Sequence, residues 1–122
     1  SLVGSEMCIR DRCYRWCGYK IGRNTFIGMR CYLDDMCYDK IEIGNNVTIS
    51  YGVFFACHGQ KQGHNSIVIK DGAYIGMKAT IIARKEDGTI IGKDAVVGAC
   101  TLVNKNVPDG ATVVGIPGRI IG

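Results

Sequence analysis

The sequence predicts an all-β solenoid of short strands wound into triangular coils, and three observations carry that expectation. Apolar residues recur at a spacing of six: Ile21, Ile27, Leu33; Ile43, Ile49, Phe55; Ile69, Ile75, Ile81; and Ile91, Val97, Val103. The residue two places before each of these leaders is small, β-branched or Cys at every position but Tyr19. Every departure from the period falls after the third leader of a coil. A repeat of six fits neither a helix at 3.6 nor a lone strand at two, but it fits a short strand plus a turn.

The coils follow in order. In the first, Tyr19, Thr25 and Cys31 precede the leaders by two, so they share the inward face by strand alternation. Ile41, Val47 and Val53 do so in the second, Ile67, Ala73 and Ala79 in the third, and Thr89, Ala95 and Thr101 in the fourth. Gly22, Gly28, Gly44, Gly76, Gly92 and Gly98 each follow a leader. They are expected to relieve the bend with a positive φ. Gly18, Gly52 and Gly72 share a second repeat position, three after a leader place. Three strand-and-turn units close a coil of 18 residues, and stacked coils lie about 4.8 Å apart.

First leaders fall at 21, 43, 69 and 91, so the coils advance by 22, 26 and 22 residues. The excess therefore emerges at one corner of the prism, and insertions on one edge of a repeat array mark its binding edge. The longest insertion, residues 57–64, contains both histidines of the chain, His58 and His64.

Composition narrows the function. The 122 residues suit one domain, and 47% hydrophobic residues support a continuous core. With 21% charged residues the chain does not resemble a disordered one. No run approaches the roughly 20 apolar residues of a membrane-spanning helix, and the start lacks the form of a signal peptide. Net charge is +4 with Lys and Arg dispersed, which argues for no nucleic acid and suits a small polyanionic ligand. Seven cysteines without a CxxC pair point to reduced thiols, a cytoplasmic protein and no structural zinc.

The repeats resemble the hexapeptide-repeat acyltransferases, the left-handed parallel β-helix family, over residues 19–121. Two stretches sharpen the resemblance. Lys105, Val107 and Pro108 match a K-x-V-P turn after the last coil, and Gly115, Pro117, Gly118 and Arg119 match a G-x-P-[AG]-[KR] ending. The order of repeats, loop histidine, turn and ending is similar to the serine- and sugar-acetyltransferase-like branch. That resemblance implies about four left-handed coils with a short C-terminal tail. It also implies a homotrimer and acetyl-CoA as cosubstrate in the groove between neighbouring prisms. The acceptor would be a sugar or other small hydroxyl compound.

The resemblance also assigns residues. His58 matches the catalytic loop histidine, which takes the acceptor's hydroxyl proton; imidazole has the pKa for it. His64 is a second candidate, for acceptor binding. Asp34 and Asp35 follow Leu33, the leader stacked on Phe55, and are expected to orient the imidazole or bind the acceptor; a solvated turn is the plainer reading. Met77, Ala99 and Asn104 match positions along the pantetheine arm, and Lys105 and Arg119 match positions near phosphate or adenosine. Relatives often carry Ser at the Met77 position, so oxyanion help there falls to a backbone N–H. Cys57 beside His58 invites a nucleophile reading, but neighbours on a strand face opposite ways.

Two alternatives stand beside the transferase. A γ-carbonic-anhydrase-like hydratase needs three histidines, and the chain has two; no metal is expected. A catalytically silent β-helix would serve as a binding or assembly module. The expected division is residues 1–12 as a non-repeat segment, 13–104 as the β-helix and 105–122 as the turn and tail. Residues 1–12 resemble translated adapter sequence and are expected to be non-native, with a natural N-terminal cap missing.

Overall fold

The computed structural model describes residues 19–33, 40–59, 63–64, 66–83 and 88–121. The first coil is β1 (Lys20–Ile21), β2 (Phe26–Ile27) and β3 (Tyr32–Leu33); the second is β4 (Ile41–Ile43), β5 (Thr48–Ile49) and β6 (Phe54–Ala56). A hairpin follows, β7 (His58–Gly59) and β8 (Gly63–His64). The third coil is β9 (Ile67–Ile69), β10 (Tyr74–Ile75) and β11 (Thr80–Ile82), and the fourth is β12 (Thr89–Ile91), β13 (Val96–Val97) and β14 (Leu102–Val103). The tail carries β15 (Thr112–Val114) and β16 (Arg119–Ile120).

Equivalent strands stack into three parallel sheets, one for each side of the prism. Sheet A is β1-β4-β9-β12, sheet C is β3-β6-β11-β14, and sheet B runs β2-β5-β10-β13-β15 with β16 added antiparallel at its end. Register places leader on leader, as the period predicts: Ile21 on Ile43, Ile27 on Ile49, Leu33 on Phe55, Ile75 on Val97 and Ile81 on Val103. The parallel ladder continues past Asn104, since Val107 bridges Ile91 and β15 pairs with β13. Val107 and β15 thus form two sides of a fifth coil within the tail.

Burial alternates along each strand as a half-buried sheet requires. Ile41 and Ile43 are buried while Glu42 between them is exposed. All leaders from Ile27 to Val103 are buried and stack in one column-filled core. Each fully buried Ile or Phe contributes about 1.5–3 kcal/mol by leaving water. Cys31 packs against this core and its Sγ reaches the carbonyl of Ser50 at 3.0 Å.

The turns correct one expectation. The glycines after the leaders do not take positive φ; that backbone falls two residues later. It is taken by Asn24, Arg30, Asn46, Gly52, Gly72, Lys78, Asp94 and Cys100. The glycines after leaders serve close approach instead. A Cβ on Gly76 would stand 2.7 Å from the Ala99 nitrogen and 2.8 Å from the Gly98 carbonyl carbon. Coils stack at strand spacing there only because no side chain intervenes. Non-glycine residues in the left-handed region cost about 1 kcal/mol each, least for Asn and Asp.

Candidate functional site

The chain leaves sheet C after Leu33, after Ala56 and after Ile82, and re-enters sheet A at Ile41, Ile67 and Thr89. All three insertions thus leave from the corner between sheets C and A, as their phase predicts. Two bonds close the mouths. The Ala83 N–H donates to the Ala56 carbonyl at 2.9 Å, and the Thr89 hydroxyl donates to the Ile82 carbonyl at 2.7 Å. The longest insertion begins from a fixed base, with Phe55 fully buried and Cys57 1% exposed. Cys57 therefore packs the core rather than facing a substrate.

Beyond Cys57 the backbone doubles back. In the β7–β8 hairpin His58 pairs with His64 and Gly59 with Gly63, antiparallel. The two histidines thus occupy paired positions, where Cα atoms stand about 4.5–5.5 Å apart. Sequence reasoning missed this pairing, although the symmetric placing of Gly59 and Gly63 inside the two histidines was its signal. Asp34 and Asp35 lie outside the described residues. Leu33, the last described residue before them, stacks on Phe55 as expected.

The proposed cofactor residues divide between two corners. Met77 and Ala99 stack at the corner between sheets B and C, in consecutive coils, and the Cys100 N–H donates to the Met77 carbonyl at 2.9 Å. Both are exposed, Met77 by 51%. Arg119 lies at the foot of the same corner: it pairs with Val114 across β15 and β16, and the Gly118 N–H donates to the Leu102 carbonyl at 2.8 Å. Asn104 and Lys105, also exposed, lie at the C–A corner below the insertions. Asn106 ties that turn down, its Oδ1 accepting the Ile90 N–H at 2.8 Å. Four residues, the turn residue Cys100, Thr101 and β14, separate Ala99 from Asn104, which places the two at opposite ends of one side of the prism. Within one prism the two groups face different edges.

The B–C corner also carries the exposed apolar surface. Met29, Tyr51 and Met77 stand exposed in successive coils, beside Tyr32 and Phe54 on sheet C, whose rings stack at 4.7 Å. Tyr74 and Val96 flank them on sheet B. A groove of about 410 Å³ lies instead on sheet A, lined by Lys20, Glu42, Asn45 and Asp71 among others, and none of the candidate residues lines it. Among the described residues no cluster of three metal-ligating side chains occurs.

Comparison with known proteins completes the picture. The chain matches the family profile described as "Hexapeptide repeat of succinyl-transferase" over residues 19–55 and 65–105. It is 40% identical over 107 residues to the serine acetyltransferase of Bacillus licheniformis, covering 85% of this chain and 45% of that protein. It is 38% identical over 105 residues to the putative acetyltransferase YvoF of Bacillus subtilis, covering 84% of this chain and 59% of that one. Thus the chain spans about half the length of the curated relatives it matches. Among solved structures, soybean serine acetyltransferase complexed with serine superposes with a TM-score of 0.69 at 32% identity, covering 84% of this chain and 40% of that one. A hexapeptide-repeat acetyltransferase of Vibrio cholerae complexed with acetyl coenzyme A does so with a TM-score of 0.72 at 33% identity, covering 84% and 58%.

Proposed function

The chain belongs to the hexapeptide-repeat transferase family, and from that premise we propose that it is an acetyl-CoA-dependent O-acetyltransferase acting on a small hydroxyl acceptor. The observation that carries the reading is the hairpin that sets His58 and His64 at paired positions on the insertion corner of an acetyltransferase-like β-helix. His58 is the general base. As the acceptor oxygen attacks the thioester carbonyl, the imidazole takes its proton; as the C–S bond breaks, the proton passes to the departing CoA thiolate. Direct transfer needs no covalent enzyme intermediate. His64, with Asp34 or Asp35, holds the acceptor or orients the imidazole. A neutral loop imidazole has the proton affinity this relay needs near pH 7.

Met77 and Ala99 line the pantetheine arm, and Arg119 takes a phosphate at the foot of the same corner. Asn104 and Lys105 stand at another corner, so a cofactor lying between two copies would touch both groups. The exposed apolar stripe on the B–C corner supports the same assembly, a homotrimer with grooves between prisms. Seven cysteines with no CxxC pair suit a reducing, cytoplasmic setting. Two histidines in the whole chain give the hydratase reading no support.

The test is release of CoA thiol from acetyl-CoA with L-serine and a panel of sugars, with the acetylated product identified by mass. Acceptor-dependent release with an O-acetyl product supports the reading. Release that ignores the acceptor, or none with any hydroxyl compound, contradicts it.

A further inference from the structure

We infer that Thr89 is a positioning residue for the histidine hairpin: its hydroxyl sets the spacing of the hairpin's two feet and, through them, the placing of His58. The inference rests on the transferase reading above and gives a part to the insertion that follows Ile82, which that reading leaves idle. The chain leaves sheet C at Ala56 to build the hairpin and rejoins sheet A at Ile67. One coil on, Ala56 stands in register with Ile82, and Ile67 with Thr89. The feet of the hairpin therefore rest on the two lips of the next insertion's mouth.

The grips fall symmetrically. The Ala83 N–H donates to the Ala56 carbonyl at 2.9 Å, two residues before His58. The Thr89 N–H donates to the Ser66 carbonyl at 2.9 Å, two residues after His64. His58 and His64 are themselves paired, so both grips lie equally far outside that pair. Gly88 tightens the second one. It is buried with a φ of 72°, and a Cβ there would meet the Ser66 carbonyl oxygen and stand 2.7 Å from the Ser66 Oγ. Beside Ser66 there is room for backbone alone.

A side-chain bond joins the two lips, from the Thr89 hydroxyl to the Ile82 carbonyl at 2.7 Å. Thr89 is 0% exposed. Ile41 and Ile67 hold the same inward position in the two preceding coils, so an aliphatic side chain satisfies the core there. Burying a hydroxyl costs free energy unless it is bonded, and the bond to Ile82 is what the threonine adds to this column. It fixes the separation of sheets C and A at the mouth, and the ladder carries that separation to Ala56 and Ser66 in the neighbouring coil. A general base acts only within hydrogen-bond reach of its proton, and a misplacement of about 1 Å can cost on the order of 10²-fold in rate.

The experiment compares wild type with Thr89→Val, Thr89→Ser and, as a control, Thr25→Val. Valine keeps the shape of threonine and removes the hydroxyl; serine keeps the hydroxyl and removes a methyl. Thr25 makes the same kind of bond at the A–B corner, to the Gly44 carbonyl at 2.6 Å, away from the hairpin. Thiol release from acetyl-CoA is measured with L-serine and a panel of sugars, and the melting temperature is taken on each sample. The two imidazoles of the chain are followed by NMR on histidine-labelled protein. Thr89→Val is expected to lower kcat about tenfold with the KM for acetyl-CoA within about twofold, and to move the imidazole signals. Thr89→Ser should keep kcat within about twofold although it melts lower. Thr25→Val should melt lower and leave kcat and the imidazole signals as in wild type. Wild-type kcat in Thr89→Val would overturn the inference. So would a serine variant as slow as the valine one, or equal loss of activity in Thr25→Val, since activity would then follow stability and not the bond. If wild type turns over no acceptor, the transferase reading fails and the imidazole signals decide the positioning. Moved by Thr89→Val alone among the three variants, they keep it; unmoved by it, or moved by all three, they sink it.

Discussion

Two edges of the prism solve the same turn in opposite ways. At the A–B corner, side chains stitch each coil to the next. Asn45 Oδ1 accepts the Arg23 N–H at 2.7 Å, Asp71 Oδ1 accepts the Asn45 N–H at 2.7 Å, and Asp109 Oδ1 accepts the Lys93 N–H at 2.8 Å. Thr25 adds a bond to the Gly44 carbonyl at 2.6 Å. At the C–A corner, among the described residues, the coils are joined at the insertion mouths, by the Thr89 N–H on the Ser66 carbonyl at 2.9 Å and through Asn106, and between those ties the chain departs from the repeat. The residues proposed for proton transfer and for one end of the cofactor stand there. A solenoid can spend one edge on cohesion and leave another to vary, because each coil needs its neighbours on only part of its perimeter.

That contrast can be broken by substitution. The largest effect on stability is expected from Gly44→Ala at the stitched edge. Its Cβ would meet the Asp71 carboxylate and stand 2.9 Å from the Asp71 nitrogen. We expect a loss of about 1–3 kcal/mol in urea unfolding. Asp71→Ala strands the Asn45 N–H and should cost about 1 kcal/mol. Combining the two should cost less than their sum, because the alanine removes one of the two collisions. A sum without this coupling would mean that the glycine is needed for some reason other than coil contact. Lys105→Ala, at the variable edge, should leave stability within about 0.5 kcal/mol while raising the KM for acetyl-CoA. A stability loss equal to that of Asp71→Ala would erase the distinction between the edges.

Much of this architecture was legible in the sequence. Leaders such as Ile43, Ile69 and Phe55 read as core because burial in a solenoid repeats wherever the chain repeats. The phase breaks at 21, 43, 69 and 91 located the variable corner, since an insertion shifts everything after it. The glycines were legible as a position but not as a cause. A glycine required by a neighbouring backbone, as at Gly76, looks the same in sequence as one required by positive φ. The true left-handed position was hidden because Arg30, Lys78 and Cys100 hold it as well as Asn24, Asn46 and glycine. The His58–His64 pairing was hidden for another reason. An antiparallel hairpin inside an insertion belongs to neither the six-residue period nor the coil register. The split of Met77 and Ala99 from Lys105 emerged only once the corners were assigned, because chain neighbours across sheet C face different edges.

We propose that the insertion corner carries chemistry on a frame that does not depend on it. The most direct measurement is acetyl-CoA thiol release by His58→Ala, with the melting temperature taken on the same sample. We expect a fall in kcat of about 10²–10⁴-fold, the range for loss of a general base, with the melting temperature unchanged. Wild-type turnover in the folded variant would contradict it.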